Sequence, residues 1–221
     1  MNEILITVEE LRITSYLFRQ ESNDDSEYKA FCEGERSVND IIALLRKWGC
    51  RQFTKDDNKR AVQSLNGWLH QNEILLPKEN MNLVDTSNKR ILSFSDLFDS
   101  LMECHTSRSK RFGPVGAAKT LFFLRSRMFP AWDGYINEEQ GLSPNGEGYC
   151  QFLLRVKDAL TKLEKNCSIR NIALKKLPQL LGRKHASLVK LIDEYLYLKV
   201  TRGFDPREIL KIAKNKKFNN G

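Results

Sequence analysis

The sequence has few features of a secreted or membrane protein. Its first residues form only a short apolar run before Glu9 and Glu10, which does not fit a secretory signal. No stretch approaches the roughly 18 consecutive apolar residues that a membrane-spanning helix needs. The five cysteines are odd in number, widely spaced and without a Cys-x-x-Cys pair, a pattern typical of reduced thiols. We therefore expect a cytoplasmic protein that does not contact a membrane.

Metal-ligand patterns are also missing. A zinc site or a cysteine-ligated iron–sulfur cluster needs closely spaced thiols or histidines. The three histidines, His70, His105 and His185, do not have such a spacing. We expect neither a metal nor a cofactor.

Basic residues, in contrast, are abundant. The 221 residues include 36 Lys and Arg against 28 Asp and Glu, which gives a formal net charge of +8. A protein this basic often meets a polyanion, with nucleic acid as the first candidate, although many basic proteins bind none. Since 41% of the residues are hydrophobic, the chain can bury a core. We predict a single unit over 1–221, with possible lobes at 1–106 and 107–221.

Hydrophobic residues recur at helical spacing along most of the chain. Ser37 is expected to cap a helix that stops at Gly49, and the apolar residues of Tyr149–Leu163 repeat with a helical period. Only Ile4–Val8 and Ile74–Leu76 resemble strands. The pattern predicts an all-α protein with at most a minor short β element.

The strongest local charge bias lies between Cys104 and Trp132, where the chain has no Asp or Glu. The basic residues of this run are Arg108, Lys110, Arg111, Lys119, Arg125 and Arg127. In its middle, Phe112–Lys119 reads FGPVGAAK. A glycine-containing turn that enters a helix directs free backbone N–H groups and the positive end of the helix dipole outward, which suits a phosphate group.

We predict that this turn grips a DNA backbone, which small residues would allow to come close. The predicted DNA contacts are Lys110, Arg111, Gly113, Val115, Gly116, Ala117 and Lys119. A tight turn between helices that uses glycine only for its geometry would give the same pattern.

A second feature follows the basic run. Asp133 lies in the sequence FPAWDGYI, among aromatic and apolar neighbours. As an anion it could stabilise an oxocarbenium-like sugar or orient a water while an N-glycosidic bond breaks. An aspartate before glycine is also a common turn or cap residue.

Together, the two features resemble the helix-hairpin-helix DNA glycosylase superfamily over about Leu101–Ile136. Its members carry an apolar-Pro-Gly-Val-Gly hairpin, then a helix, then an aspartate that opens another helix. Phe112–Gly116 matches the hairpin loosely, because Gly113 precedes Pro114 where the family places proline first. Asp133 follows at a slightly shorter spacing. The resemblance implies two helical lobes around a cleft, with the hairpin near 110–119.

The resemblance leaves the role of Lys119 open. In bifunctional members a lysine stands two residues after the second glycine, and here that position is Ala118. Either the hairpin holds one extra residue and Lys119 is the amine nucleophile, or the enzyme is monofunctional. One residue turns a helix by about 100°, so the two cases place the side chain on different faces. We favour a monofunctional enzyme with Lys119 near a phosphate.

The activity implied is that of a monomeric DNA glycosylase. It would flip a modified or damaged base out of the duplex and excise it by N-glycosidic hydrolysis, with Asp133 assisting. The resemblance makes Trp132 and Tyr135, which flank Asp133, candidates for the base pocket, with a place in the core as the alternative. Candidate bases are oxidised, alkylated or hypermodified phage bases. The role would be DNA repair or, for a phage base such as glucosylated hydroxymethylcytosine, antiviral defence. The alternatives are a non-catalytic helix-hairpin-helix DNA-binding protein and a helical toxin or scaffold unrelated to DNA.

Overall fold

The computed structural model describes residues 3–21, 37–55 and 58–210, and it confirms the predicted all-α class. The α-helices are Val8–Glu21 (α1), Val38–Lys47 (α2), Asn58–Asn72 (α3), Asn88–Leu92 (α4), Ser95–Met102 (α5), Gly113–Leu124 (α6), Gly134–Gln140 (α7), Gly146–Ile169 (α8), Leu177–Leu180 (α9) and Leu188–Leu196 (α10). Short 3₁₀ turns lie at Glu73–Leu75, Leu83–Asp85 and Leu174–Lys176. A π-helix at Tyr197–Thr201 continues α10, and a helical segment follows at 206–210.

The two expected strands are wrong. Ile4 and Ile6 lie in a segment without regular secondary structure whose alternate residues are buried, which explains the strand-like pattern, but this segment has no strand partner among the described residues. Ile74 and Leu75 belong to a 3₁₀ turn. Within the described ranges, β pairing is limited to one isolated antiparallel bridge, between His105 and Arg111.

The ends of α2 match the sequence prediction. The Ser37 side chain accepts from the backbone N–H of Asp40, whose carboxylate accepts in turn from the Ser37 N–H, so a capping box opens the helix. Gly49 adopts a φ of +75° just after the helix, a conformation that favours glycine. Trp48 is the C-cap residue of α2, so its carbonyl has no partner within the helix and can accept from a side chain elsewhere in the fold.

Helix α6 lies at the centre of the molecule. Most of its residues are buried, and it packs against α2 and α5. One hydrophobic cluster extends through the described chain from Ile4 to Leu196, and α1 packs against α10 near the other end of the sequence. The division into lobes at 106 and 107 stays a prediction.

The interior holds four free thiols, those of Cys50, Cys104, Cys150 and Cys167. Burial raises the pKa of each. Cys32 lies outside the described residues.

In the part of the chain that the structure describes, no helix combines the length and the apolar character required to cross a membrane.

Candidate functional site

Asp133 is held by both of its carboxylate oxygens. Its Oδ1 accepts from the backbone N–H of Ile136 at 2.9 Å, so the residue caps the N-terminus of α7. Its Oδ2 accepts from the Thr201 hydroxyl at 2.6 Å. Thr201 is the last residue of the π-helix, a rare element that is frequent at functional sites. Because the two donors come from different elements, the half-buried carboxylate has a defined orientation.

The segment before Asp133 is fixed by two side-chain hydrogen bonds. The Trp132 indole N–H donates to the Pro114 carbonyl at 3.2 Å, and the Tyr149 hydroxyl donates to the Pro130 carbonyl at 2.7 Å. The first bond ties the segment before Asp133 to the first turn of α6. Trp132 is only 1% exposed and packs on Phe98, Tyr149 and Phe152, so it is mainly a core aromatic residue.

A cavity of about 600 Å³ lies at Asp133. Its walls come from α1, the end of α2, α6, the segment into α7, α10 and the π-helix. The lining side chains are Phe18, Lys47, Trp48, Gly49, Lys119, Ala131, Trp132, Asp133, Ile136, Lys190, Asp193, Tyr197 and Arg202. A second cavity, of about 740 Å³ between the 82–85 turn and the 172–189 region, contains none of the predicted site residues. The structure thus brings Asp133, Lys119 and Trp132 to one cavity.

Lys119 faces this cavity. Its ammonium donates to the Trp48 carbonyl at 2.7 Å and lies 6.0 Å from the centroid of the Trp48 ring. A cation is favourable at this place because the last carbonyls of α2 carry partial negative charge. Ala118, one position earlier, is fully buried in the core. Of Ala118 and Lys119, it is therefore Lys119 that lines the same cavity as Asp133.

The glycines of the predicted hairpin have different structural roles. Gly113 adopts a φ of +61° at the start of α6 and has open space where a side chain would begin. Gly116 and Ala117 are buried, and a Cβ on Gly116 would lie 2.8 Å from Gln52 Nε2. The expectation that small size at these two positions admits a DNA backbone is therefore corrected, because protein atoms already fill that space. Val115 is half-buried beside them.

The basic residues of the acid-free run do not form one surface. Arg108, Lys110 and Arg111 are exposed on the loop before α6, where Arg111 forms an ion pair with Glu103. Arg125 lies just after the other end of α6, about 18 Å from the start of this 12-residue helix. Its side chain donates to the Pro77 carbonyl. Among the basic residues of this run, which the structure describes in full, the loop cations are the ones next to the N-terminus of α6.

Tyr135 does not line the cavity. Its side chain is 65% exposed in the first turn of α7. The structure thus gives it no place in a base pocket, although it lies two residues from Asp133.

A buried ion-pair network, two of whose residues line the cavity, was not recognised from the sequence. Arg183 makes two hydrogen bonds to Glu194, at 2.7 and 2.5 Å, with both side chains 1% exposed. Lys190 pairs with Asp193 at 2.8 Å. Burial alone would lower the pKa of Lys190, but the carboxylates of Asp193 and Glu194 outweigh it and raise that pKa. Lys190 is therefore an ammonium ion at neutral pH.

The described residues hold no group of three or more His, Cys, Asp or Glu side chains arranged for a metal ion. Comparisons of the chain with protein-family models, with curated proteins and with solved structures find no match.

Proposed function

We propose that the chain is a DNA N-glycosylase that excises a modified base, with Asp133 as its catalytic carboxylate. The observation that carries the proposal is the place of Asp133: a carboxylate fixed at Oδ1 and Oδ2, at the edge of a cavity large enough for a nucleobase and beside the N-terminus of a helix. The sequence pattern alone points to this residue, without reference to the cavity. Its location there supports the glycosylase proposal.

In the proposed reaction the target nucleotide leaves the stack and enters the cavity. The bond between the sugar C1′ and the base nitrogen breaks, and its electron pair leaves with the base. The Asp133 carboxylate stabilises the positive charge that develops on the sugar. Water then bonds to C1′, and one of its protons ends on the released base, which leaves an abasic deoxyribose in the DNA.

The start of α6 is proposed to bind a DNA phosphate. Phe112 precedes the helix and has no polar side chain to cap it, so backbone N–H groups of the first turn lack a side-chain partner from that residue. Gly113 leaves open space at this point, and the exposed loop bearing Arg108 and Lys110 adds positive charge. These features support DNA as the partner. We propose that the protein acts on it as a monomer.

Lys119 is proposed as an electrostatic residue and not as a nucleophile. A Schiff-base mechanism requires the amine to reach C1′, whereas its nitrogen is hydrogen-bonded to the Trp48 carbonyl at the end of α2. Borohydride treatment during the reaction should therefore trap no covalent complex with DNA. Trapping that is lost in Lys119→Gln would instead assign a bifunctional mechanism.

Mass spectrometry of free bases tests the main proposal. Wild type, Asp133→Asn and the control Asp205→Asn are incubated with DNAs that carry oxidised, alkylated and hypermodified bases, including glucosylated hydroxymethylcytosine. Asp205 is a matched control because its carboxylate also accepts from a backbone N–H, that of Arg207, and it does not line the cavity. Release by wild type and by Asp205→Asn, but not by Asp133→Asn, is expected. DNA binding without release of any base would favour the non-catalytic alternative.

A further inference from the structure

The chain has a second stretch without Asp or Glu, from Lys165 to Ile192. Its 28 positions hold seven basic residues, which are Lys165, Arg170, Lys175, Lys176, Arg183, Lys184 and Lys190. The stretch from Cys104 to Trp132 holds six in 29 positions. The expectation that the charge bias is strongest around α6 is therefore corrected, because the sequence has two basic segments of similar strength.

The fold compensates only part of the charge in the second stretch. Carboxylates pair with Arg170, Arg183 and Lys190. Lys175 and Lys184 are exposed, and so is Arg127, which follows α6 and belongs to the first stretch. Within the described ranges, none of the side chains of Arg127, Lys175 and Lys184 forms an ion pair or a hydrogen bond with another residue. These three cations are therefore available to an anion from solution.

All three line the second cavity, of about 740 Å³. The Leu83 backbone N–H donates to the Arg127 carbonyl at 3.0 Å. The Ser187 hydroxyl donates to the Ser126 carbonyl at 2.6 Å. The two bonds hold the segment that bears Arg127 between Leu83 and Ser187, which line the same cavity. The fold thus brings cations from both acid-free stretches to one place.

Two carboxylates line this cavity as well. Asp85 Oδ2 accepts from the Asn82 side chain at 3.0 Å, and Glu164 lies on α8. Neither carboxylate pairs with one of the three cations within the described residues. Arg and Lys side chains that are not bound to a carboxylate can form charge-assisted hydrogen bonds to phosphate oxygens.

We propose that the second cavity binds the phosphate backbone of DNA, as a site additional to the start of α6. This inference rests on DNA as the partner in the proposed function, but not on base excision. At about 740 Å³ the cavity is in the range that accommodates a drug-sized ligand, which is sufficient for a phosphate and its sugar. Each DNA strand carries one negative charge per about 3.4 Å, so one backbone can meet several cations. The two sites lie beyond opposite ends of α6, about 18 Å apart along the helix, and would contact different phosphates.

The salt dependence of binding to an unmodified duplex tests the proposal. Arg127→Gln and Lys184→Gln should each reduce the slope of log K against log salt by about 0.9, and the double variant by about 1.8. Lys165→Gln is the matched control, because Lys165 is exposed in the same acid-free stretch and does not line the cavity. Wild-type slopes for the first two variants, with a reduced slope for Lys110→Gln, would overturn the second site and leave DNA binding at α6 intact. Salt-insensitive binding by the wild type would overturn both.

Acetylation of lysines in the wild-type protein locates the contact directly. The protein is treated with acetic anhydride alone, with the unmodified duplex and with inorganic phosphate, and labelling is measured by mass spectrometry. The duplex should slow labelling of Lys175 and Lys184 severalfold and leave Lys165 unchanged. Protection of Lys110 without Lys175 and Lys184 would overturn the proposal. Equal protection by inorganic phosphate would overturn DNA as the occupant and assign the cavity to a small anion.

Discussion

The Thr201 hydroxyl donates a 2.6 Å hydrogen bond to Asp133 Oδ2 across 68 positions of sequence. The bond joins the π-helix at the end of α10 to the N-terminus of α7. The orientation of the carboxylate therefore depends on a residue from the C-terminal part of the chain. In the proposed reaction Thr201 is a positioning residue, since it acts on the sugar only through Asp133.

Replacement of Thr201 by valine should lower kcat with little change in KM. The valine side chain would keep the shape of threonine but lose the donor, and a small displacement of a catalytic group lowers rates by about 10–100-fold. Thr201→Ser retains the hydroxyl and should restore most of the rate, as measured by base release under saturating substrate. A valine variant with full kcat, or one with only a raised KM, would contradict the positioning role.

Substitutions of Asp133 should separate stability from activity. Asparagine caps helices about as well as aspartate, whereas alanine in place of a cap costs about 0.5–2 kcal/mol. Urea unfolding should therefore show near wild-type stability for Asp133→Asn and a loss of about 1 kcal/mol for Asp133→Ala. Both variants should lack base release. If Asp133→Asn is inactive and also strongly destabilised, its loss of activity does not demonstrate a catalytic carboxylate.

Local signals explain what could be predicted from the sequence. The cap at Ser37 and the stop at Gly49 depend on neighbours along the chain, so the local pattern was enough to predict both ends of α2. Lys190, Asp193 and Glu194 also had a signal, since they interrupt the apolar run LVKLIDEYL at spacings of three and four residues.

Long-range contacts explain what could not be predicted. No local pattern joins Thr201 to Asp133, because the bond depends on how α10 and α7 pack. Gly116 suggested space for DNA, but Gln52, far away in sequence, fills that space. A small residue indicates a close approach, whereas the identity of the approaching group is decided by the tertiary fold.

The close contact at Gly116 predicts a destabilised alanine variant. An alanine Cβ would lie 2.8 Å from Gln52 Nε2 and 3.1 Å from Phe53 Cε2. Gln52 would have to move and would lose its 2.6 Å hydrogen bond to the Phe112 carbonyl, while Phe53 is 4% exposed and has little room. Overpacking and the lost bond together exceed the gain of about 1 kcal/mol in helix propensity.

Urea unfolding checks this expectation against a helical glycine that has open space where a Cβ would lie. Gly116→Ala should lower the free energy of unfolding by about 1–2 kcal/mol. Gly67, in α3, has no atom within 4 Å of an added Cβ, so Gly67→Ala should raise stability by about 0.5–1 kcal/mol. Equal effects of the two substitutions would show that packing at Gly116 is not tight.

The buried pair of Lys190 and Asp193 predicts a specific alkaline change in stability. Because the carboxylates overcome the effect of burial and raise the folded-state pKa of Lys190 above 10.5, the unfolded chain loses this proton first as pH rises. The contribution of Lys190 to stability is complete below its unfolded-state pKa and is lost as the pH rises through its folded-state pKa. Lys190→Met should be destabilised by about 3–5 kcal/mol at neutral pH, since Asp193 is left buried without its partner.

Unfolding free energies of wild type and Lys190→Met between about pH 7 and 11.5 test this prediction. Two buried tyrosines, Tyr149 and Tyr195, also make the fold less stable in alkali. Burial raises the pKa of both hydroxyls, that of Tyr195 to about 12, so the unfolded chain ionises first. That loss is common to the two proteins, so the informative quantity is their difference. The difference should be constant below about pH 10 and narrow above it. A difference that stays constant to the end of the range would contradict the raised pKa of Lys190.

The loop before α6 predicts a salt-dependent change in DNA affinity. Arg108 and Lys110 are exposed beside the start of α6, so Arg108→Gln and Lys110→Gln should each reduce the slope of log K against log salt by about 0.9. Arg111 forms an exposed ion pair with Glu103. Glu103→Gln should therefore raise the affinity for DNA, because the Arg111 guanidinium is then available to a phosphate. Lys165→Gln, on α8, should leave the slope unchanged. Fluorescence anisotropy with a duplex at several salt concentrations measures all four variants, and equal slopes for Lys110→Gln and wild type would place the DNA surface elsewhere.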